Sequence, residues 1–189
     1  MDDTELVKDA RVGTRPWDDP GARARALDAD EAVTLLFETH YGHLVRLAAL
    51  LTRDPDRGEE LVQDAFVDMH QRWSRLQEPA KAVAYLRTAV VNRARSDLRH
   101  RRVVLSNAPS APDHAESAEL GAVASVQQQE LLRLLNALPD RQRSVLILRY
   151  YGELSEAEIA STLGISRGAV KSHSSRGLRA LRPSLESRT

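Results

Sequence analysis

Apolar residues in this chain recur at steps of three and four, a spacing that suits helices and not strands. Val33, Leu36, Phe37, Tyr41, Leu44, Leu47, Ala48 and Leu51 fall on one helical stripe that stops near Thr52. Asp54-Pro55 reads as a cap followed by proline in the first turn of a second helix, which buries Leu61, Ala65, Phe66, Met69 and Trp73. Pro79 precedes a third, with Val83, Leu86, Val90, Ala94 and Leu98 inward and Arg95, Arg99 and Arg102 outward. The period is lost over Val103–Ser125, where Pro109, Pro112 and several Ser and Ala mark a linker. It resumes with Leu131, Leu134, Leu135 and Leu138, ends at Pro139, and returns over Asp140–Tyr151 with Val145, Leu146 and Leu148 inward. Gly152 is the natural stop for that helix.

The expected fold class is therefore all-α, with two small helical domains at 31–102 and 126–185 joined by a flexible linker at 103–125. Residues 1–30 carry no sustained period. They read as an acidic, mobile extension with one short helix around Ala22–Asp28. Aromatic residues make up only 4% of the chain, which fits helical modules packed by aliphatic side chains better than a sandwich or barrel. Cysteine is absent, which excludes a disulfide framework, a Cys-ligated zinc site and a thiol nucleophile. No apolar stretch is long enough to span a membrane, and Met1-Asp2-Asp3 is too acidic for a signal peptide. The expected setting is the cytoplasm, without membrane insertion.

The formal net charge is zero, which by itself argues against nucleic acid as a partner, but the charges are segregated. Lys81, Arg87, Arg93, Arg95, Arg99, Arg101 and Arg102 are opposed only by Asp97. Arg167, Lys171, Arg176, Arg179 and Arg182 are opposed by no acid, whereas the first thirty-odd residues are acidic. Two basic stretches on a neutral chain suggest two places that meet phosphate.

Ser155–Arg179 is the most specific local signal. Ser155 and Glu158 make a capping-box pair, and Ala160 is small enough for two helices to cross closely. Gly164 follows where the turn needs a left-handed backbone, and Ser166 caps the next helix. Ile159, Leu163, Ile165 and Val170 supply a shared core. Arg167, Lys171, Ser172, His173 and Arg176 lie outward, on the part of a helix-turn-helix that enters a major groove. A plain helical hairpin with a solvated basic face is the bland alternative; the joint Ala–Gly–Val spacing and the acid-free second helix favour DNA.

Leu138-Pro-Asp-Arg-Gln-Arg-Ser-Val-Leu-Ile-Leu-Arg149, Gly152-Glu-Leu-Ser-Glu-Ala-Glu-Ile-Ala160 and Gly164-Ile-Ser-Arg-Gly-Ala-Val-Lys-Ser-His173 together resemble region 4 of the sigma-70 family, in its extracytoplasmic function (ECF) group. Independently, Glu59-Glu-Leu-Val-Gln-Asp-Ala-Phe66 is similar to the region 2 helix of that group that docks on the polymerase clamp. Tyr85-Leu-Arg-Thr-Ala-Val-Val-Asn-Arg93 resembles its promoter-melting helix. The resemblance implies an alternative sigma factor whose partners are core RNA polymerase, through its clamp helices and flap, and promoter DNA. Glu59, Glu60, Gln63 and Asp64 would face the clamp; on residue types alone they are an ordinary solvated face. Asn92 matches the position that receives an unstacked base of the −10 element. Tyr85, Arg95, Ser96, Arg99, Arg101 and Arg102 surround it, and Arg167, Lys171, Ser172, His173 and Arg176 would read the −35 duplex. Tyr85 and Trp73 have the rings to stack on bases, although core packing is the commoner use of such residues. An anti-sigma protein is a common regulator in the group.

Three positions depart from the family pattern: Tyr85 stands where Trp is usual, His173-Ser174 replaces a commoner Arg-Leu pair, and Ser96 lies where Asp or Asn is frequent. They bear on promoter preference, not on the class of activity. The main rival is a classical helix-turn-helix regulator of duplex operators, because Ala169-Val-Lys-Ser-His173 also looks like a response-regulator output helix. An enzyme is the second rival. His40 and His43 have a helical spacing that suits a metal, but no third ligand stands near them, and surface or packing roles are commoner. No catalytic residue, metal or cofactor is expected.

Overall fold

The computed structural model describes residues 28–76, 81–107 and 126–186. The readings placed on residues 1–27 and on 108–125 lie outside this set. Among the described residues there are seven α-helices and no strand. The helices are α1 (Ala29–Thr52), α2 (Pro55–Arg72), α3 (Ala82–Asn107), α4 (Val126–Asn136), α5 (Asp140–Leu146), α6 (Glu156–Leu163) and α7 (Arg167–Glu186). A short 3₁₀ turn, Trp73–Arg75, follows α2, and a π-helical stretch, Ile147–Tyr151, continues α5.

The helix starts follow local chemistry. Asp28 caps α1 by accepting from the Glu31 amide at 2.9 Å. Asp54 caps α2 by accepting from the Arg57 amide at 3.0 Å, with Pro55 in the first turn. α1 ends on Arg53, whose left-handed backbone (φ 63°) lets its amide donate to the Ala49 carbonyl. α1, α2 and α3 enclose Leu36, Leu44, Val62, Phe66, Met69, Leu86 and Val90, and the Trp73 indole, only 8% exposed, belongs to this core. The α1–α2 crossing is tight at Gly58, where a β-carbon would lie 2.7 Å from the Ala49 nitrogen.

Four boundaries differ from the sequence expectation. α3 continues through Val103–Asn107, the first residues of the expected linker, because no proline or glycine intervenes before Pro109. α5 does not run as one α-helix to Tyr151: from Ile147 the winding loosens, so that the Gly152 amide reaches the Ile147 carbonyl at 2.9 Å. Gly152 is right-handed (φ −78°) and serves close packing, since a β-carbon there would lie 2.9 Å from the Leu148 carbonyl oxygen; the left-handed residue is Glu153 (φ 51°). α7, whose sequence predicts an end at about Leu181 before Pro183, passes that proline and ends at Glu186. Proline near the end of a helix removes one donor without breaking the preceding turns.

The two halves share a second core. Leu47, Leu51, Leu61, Val91 and Ala94 of the first pack with Val145, Ile147, Leu148, Leu154, Ile159, Leu163 and Val170 of the second. Each such Val, Leu or Ile side chain contributes about 1.5–3 kcal/mol when fully buried. Polar contacts tie the same seam. Arg143, 2% exposed, donates to the Leu50 carbonyl at 2.8 Å and the Leu51 carbonyl at 2.9 Å, so it caps the C-terminus of α1 from the other half. Burial lowers its pKa to about 10, which leaves it charged at neutral pH, where the negative end of the α1 dipole favours a cation. Arg87 donates to the Gly152 carbonyl at 3.2 Å, and Tyr151 stacks in parallel on His43 at 4.3 Å. Leu138, Leu146 and Leu181 form a third, smaller cluster under α4, α5 and α7.

Candidate nucleic-acid interface

The helix-turn-helix is built as its residue types require. The Ser155 hydroxyl accepts from the Glu158 amide at 3.3 Å, while the Glu158 carboxylate accepts from the Ser155 amide at 2.8 Å. The Ser155 hydroxyl also donates to the Glu158 carboxylate at 2.7 Å, and this bond foremost, with the one from the Ser155 amide, holds the Glu158 pKa below its ordinary value. Gly164 takes the left-handed conformation (φ 62°, ψ 44°), and the Ser166 hydroxyl accepts from the Ala169 amide at 3.1 Å to start α7. Ile159, Leu163 and Val170 are buried beneath the turn.

On the outer side of α7, Arg167, Lys171 and Arg176 are exposed, and Ser172 and His173 are half-buried. Lys171 Nζ lies 3.9 Å from a carboxylate oxygen of Glu156, which also pairs with Arg149 at 3.2 Å. Ser174 is buried, so its departure from the commoner leucine falls on the packing face of α7 and not on its exposed basic side.

The second set surrounds a cleft of about 650 Å³ between α2 and α3. Tyr85, Asn92 and Ser96 line it together with Asp64, Asp68 and Asp97. Asn92 and Ser96 are exposed, and Tyr85 is half-buried. The arginines differ in their surroundings. Arg99 is exposed, but Arg95 Nη1 donates to the Thr162 carbonyl at 2.5 Å, at the end of α6 in the helix-turn-helix. Arg101 pairs with Asp54 at 3.0 Å and Asp97 at 2.9 Å, and Arg93 pairs with Asp68. Arg102 lies within α3, with its side chain outside the described set.

Asp97, with its side chain 8% exposed, is the hub that sequence reasoning passed over: it binds Arg57 at 2.7 Å as well as Arg101. The available signal was its position as the lone acid in a basic stretch.

Glu59, Glu60, Gln63 and Asp64 are all exposed on α2. Tyr41 donates to Glu59 at 2.9 Å, and Arg57 donates to Glu60 at 2.6 Å. Burial is the largest cause of a raised Tyr41 pKa, with the Gln63 amide opposing it. Beside these groups stand Phe37, 43% exposed, and Val67, 55% exposed. Phe37 stacks on Tyr41 at 4.2 Å, edge-on to Phe66. Its place on the apolar stripe suggested core; the structure puts it at the rim. His40 is buried and His43 meets Tyr151, and among the described residues no group of three or more His, Cys, Asp or Glu forms a possible metal cluster. No helix among the described residues is long and apolar enough to cross a membrane.

Residues 36–103 match the family described as Sigma-70 region 2, and residues 128–181 match Sigma-70, region 4. The chain is 33% identical over 167 residues to the RNA polymerase sigma-E factor of Streptomyces avermitilis, covering 88% of this chain and 90% of that one. It is 32% identical over 172 residues to the ECF RNA polymerase sigma factor SigL of Mycobacterium tuberculosis, covering 87% and 96%. Its fold resembles that of the sigma factor RpoE solved with the anti-sigma factor NepR from Bartonella quintana, with TM-score 0.61, 23% identity, and 85% and 98% of the two chains covered. It also resembles CnrH solved with the cytosolic domain of CnrY, with TM-score 0.59, 21% identity, and 89% and 96% covered.

Proposed function

Because this chain belongs to the sigma-70 family of RNA polymerase sigma factors, in the ECF group, and so directs RNA polymerase to promoters, we propose a division of that task between its two halves. The domain spanning 31–102 captures the melted −10 strand, and the domain spanning 126–185 reads the −35 duplex. The observation that carries this reading is the exposed Asn92 at the cleft between α2 and α3, on a helix separate from the helix-turn-helix. One chain thus offers two DNA-facing surfaces of different kinds.

Asn92 presents an amide that both donates and accepts, the chemistry needed to read a base edge once it leaves the stack. Tyr85 and Ser96 flank it, and Arg95, Arg99, Arg101 and Arg102 supply positive charge for the strand's phosphates. On α7, Arg167, Lys171 and Arg176 reach guanine edges or phosphates, while Ser172 and His173 make shorter contacts. Glu59, Glu60, Gln63 and Asp64, with Phe37 and Val67 beside them, form the surface for the polymerase clamp, and region 4 meets the flap. Melting needs no hydrolysis by this chain, because contacts to the unpaired strand offset unstacking. The chain works in the cytoplasm as a non-catalytic factor without a cofactor. An anti-sigma partner fits the same reading, since both structural relatives were solved with such partners or a partner's cytosolic domain.

The operator-binding alternative is not favoured, since the region 2 match over residues 36–103 has no place in it. The deciding experiment is run-off transcription with core polymerase over a genomic promoter library. Promoter-dependent transcripts that vanish with Asn92→Ala, while core polymerase is still retained, are the expected result. No transcript from any promoter would overturn the reading.

A further inference from the structure

We propose that Glu156 is a positioning residue for −35 recognition: its carboxylate keeps Lys171 off stray phosphates and leaves it to a guanine edge. This deepens the reading of α7 as the −35 helix and rests on it. Glu156 stands in the first turn of α6, and its side chain is 23% exposed. Arg149, from the π-helical stretch, donates to Oε1 of Glu156 at 3.2 Å. Oε2 is left for Lys171, whose Nζ lies 3.9 Å away across the turn. The two oxygens therefore differ in role. Arg149 fixes the carboxylate, whereas Lys171, with its side chain 68% exposed, makes a long pair open to water. Such a pair is worth little and is readily exchanged. α7 carries no acid before Glu186, so this carboxylate has to come from another element. Arg167 and Arg176, exposed on the same helix, show no ion pair among the described residues.

The carboxylate acts differently on the two kinds of group that Lys171 can bind. A phosphate oxygen bears charge, and bonded to Nζ at the usual ~2.8 Å it stands within a Debye length, about 8 Å at physiological salt, of Glu156. The two anions repel. Guanine O6 and N7 are neutral acceptors, so the same carboxylate opposes them far less, and they take the ammonium in exchange for a weak pair. Lys171 lies in the second turn of α7, in the half of a recognition helix that meets base edges. A promoter is found against a large excess of random duplex, so making one cation a poorer phosphate ligand raises discrimination even where it lowers raw affinity. Arg149 completes the device, because a carboxylate not held at Oε1 could turn to solvent.

The test uses holoenzyme reconstituted with the full-length chain, a promoter found in the run-off library and a random-sequence duplex of equal length. Glu156→Gln keeps the shape of the side chain and removes its charge. It should raise affinity for the random duplex about three- to tenfold at low salt and steepen the logarithmic salt slope by about one. Promoter affinity should stay within about twofold, so the specificity ratio falls. Glu156→Asp should recover most of that ratio. In a Lys171→Met background Glu156→Gln should change neither affinity, because the cation it acts through is gone; a merely structural role for Glu156 would give the same change in both backgrounds. Helicity is checked in every variant. Random-duplex affinity and salt slope unchanged by Glu156→Gln, or changed equally in the Lys171→Met background, overturns the proposal. The underlying reading fails separately, and takes the proposal with it, if Lys171→Met combined with Arg176→Ala binds the promoter as tightly as the unaltered factor does.

Discussion

Asn92 and Gly164 show how differently single residues bear on this protein. Asn92 is exposed and packs against nothing that the fold needs, so its replacement should leave stability alone. With Asn92→Ala we expect core polymerase binding unchanged and permanganate reactivity of −10 thymines reduced at least tenfold, the order expected when a buried base loses two hydrogen bonds. Gly164 is the reverse. Its φ of 62° is disfavoured for any residue with a β-carbon, and that carbon would also meet Arg95 at 3.0 Å. Gly164→Ala should cost about 1–2 kcal/mol in urea unfolding, and loosening of the Arg95 contact should accompany it. At this scale the sequence was informative where backbone chemistry decides: Ser155, Glu158, Gly164 and Ser166 do what their types and spacing imply. It was silent on charge pairing between helices. The Asp97–Arg101 pair follows from its i, i+4 spacing on one helix, but nothing in the order of residues says that Arg101 also meets Asp54, which the α2–α3 packing brings to it.

Among the elements, α1 and the π-helical stretch after α5 meet through His43 and Tyr151. Burial lowers the His43 pKa from 6.5 to about 4, with Arg46 and His40 adding to the shift and a bond to Tyr151 opposing it. Between these values the unfolded chain takes up a proton that the folded chain refuses. Stability should therefore be level in this respect above about pH 6.5, fall as the pH drops towards 4, and lose nothing further to this group below that. His43→Phe keeps a ring for Tyr151 and removes the proton, so the urea midpoint should vary less across that window. The capping box is the other element-level test: Ser155→Ala should destabilise by about 1 kcal/mol in the same assay.

Helix existence was legible throughout, since the apolar period marks α1, α2, α3, α5 and the helix-turn-helix. The loosened winding from Ile147 was not, because a π-turn leaves no mark in a stripe of buried residues. Phe37 was misplaced for a related reason: a ring on the edge of a stripe has the same spacing whether it faces the core or stands at the rim, 43% exposed.

For the whole molecule, the two-part organisation could be read from the gap in periodicity, but the shared core between the parts could not. Leu47 and Leu148 look like interior residues of separate modules, and only the three-dimensional arrangement brings them into one cluster. The surface proposed for the polymerase clamp belongs to this scale too, since Glu59, Glu60, Gln63 and Asp64 stand on the exposed side of α2. Glu60→Lys should weaken the affinity for core polymerase by about tenfold or more, as expected when a like charge replaces an attractive one at an interface. Far-ultraviolet circular dichroism and duplex binding should stay as they are. Promoter affinity of the assembled enzyme should fall steeply with added salt, reflecting phosphate contacts by both halves.

Arg143 caps α1 across 93 residues of sequence. On the ribosome, α1 emerges long before that guanidinium is made, so its last carbonyls begin life answered by water alone. The strip formed by Leu47, Leu51, Leu61 and Val91 is likewise bare until the second half is translated. A nascent chain arrested after the third helix would therefore display an adhesive apolar surface that the finished protein lacks. Its dependence on holding chaperones should end only when residues near Val170 have left the exit tunnel.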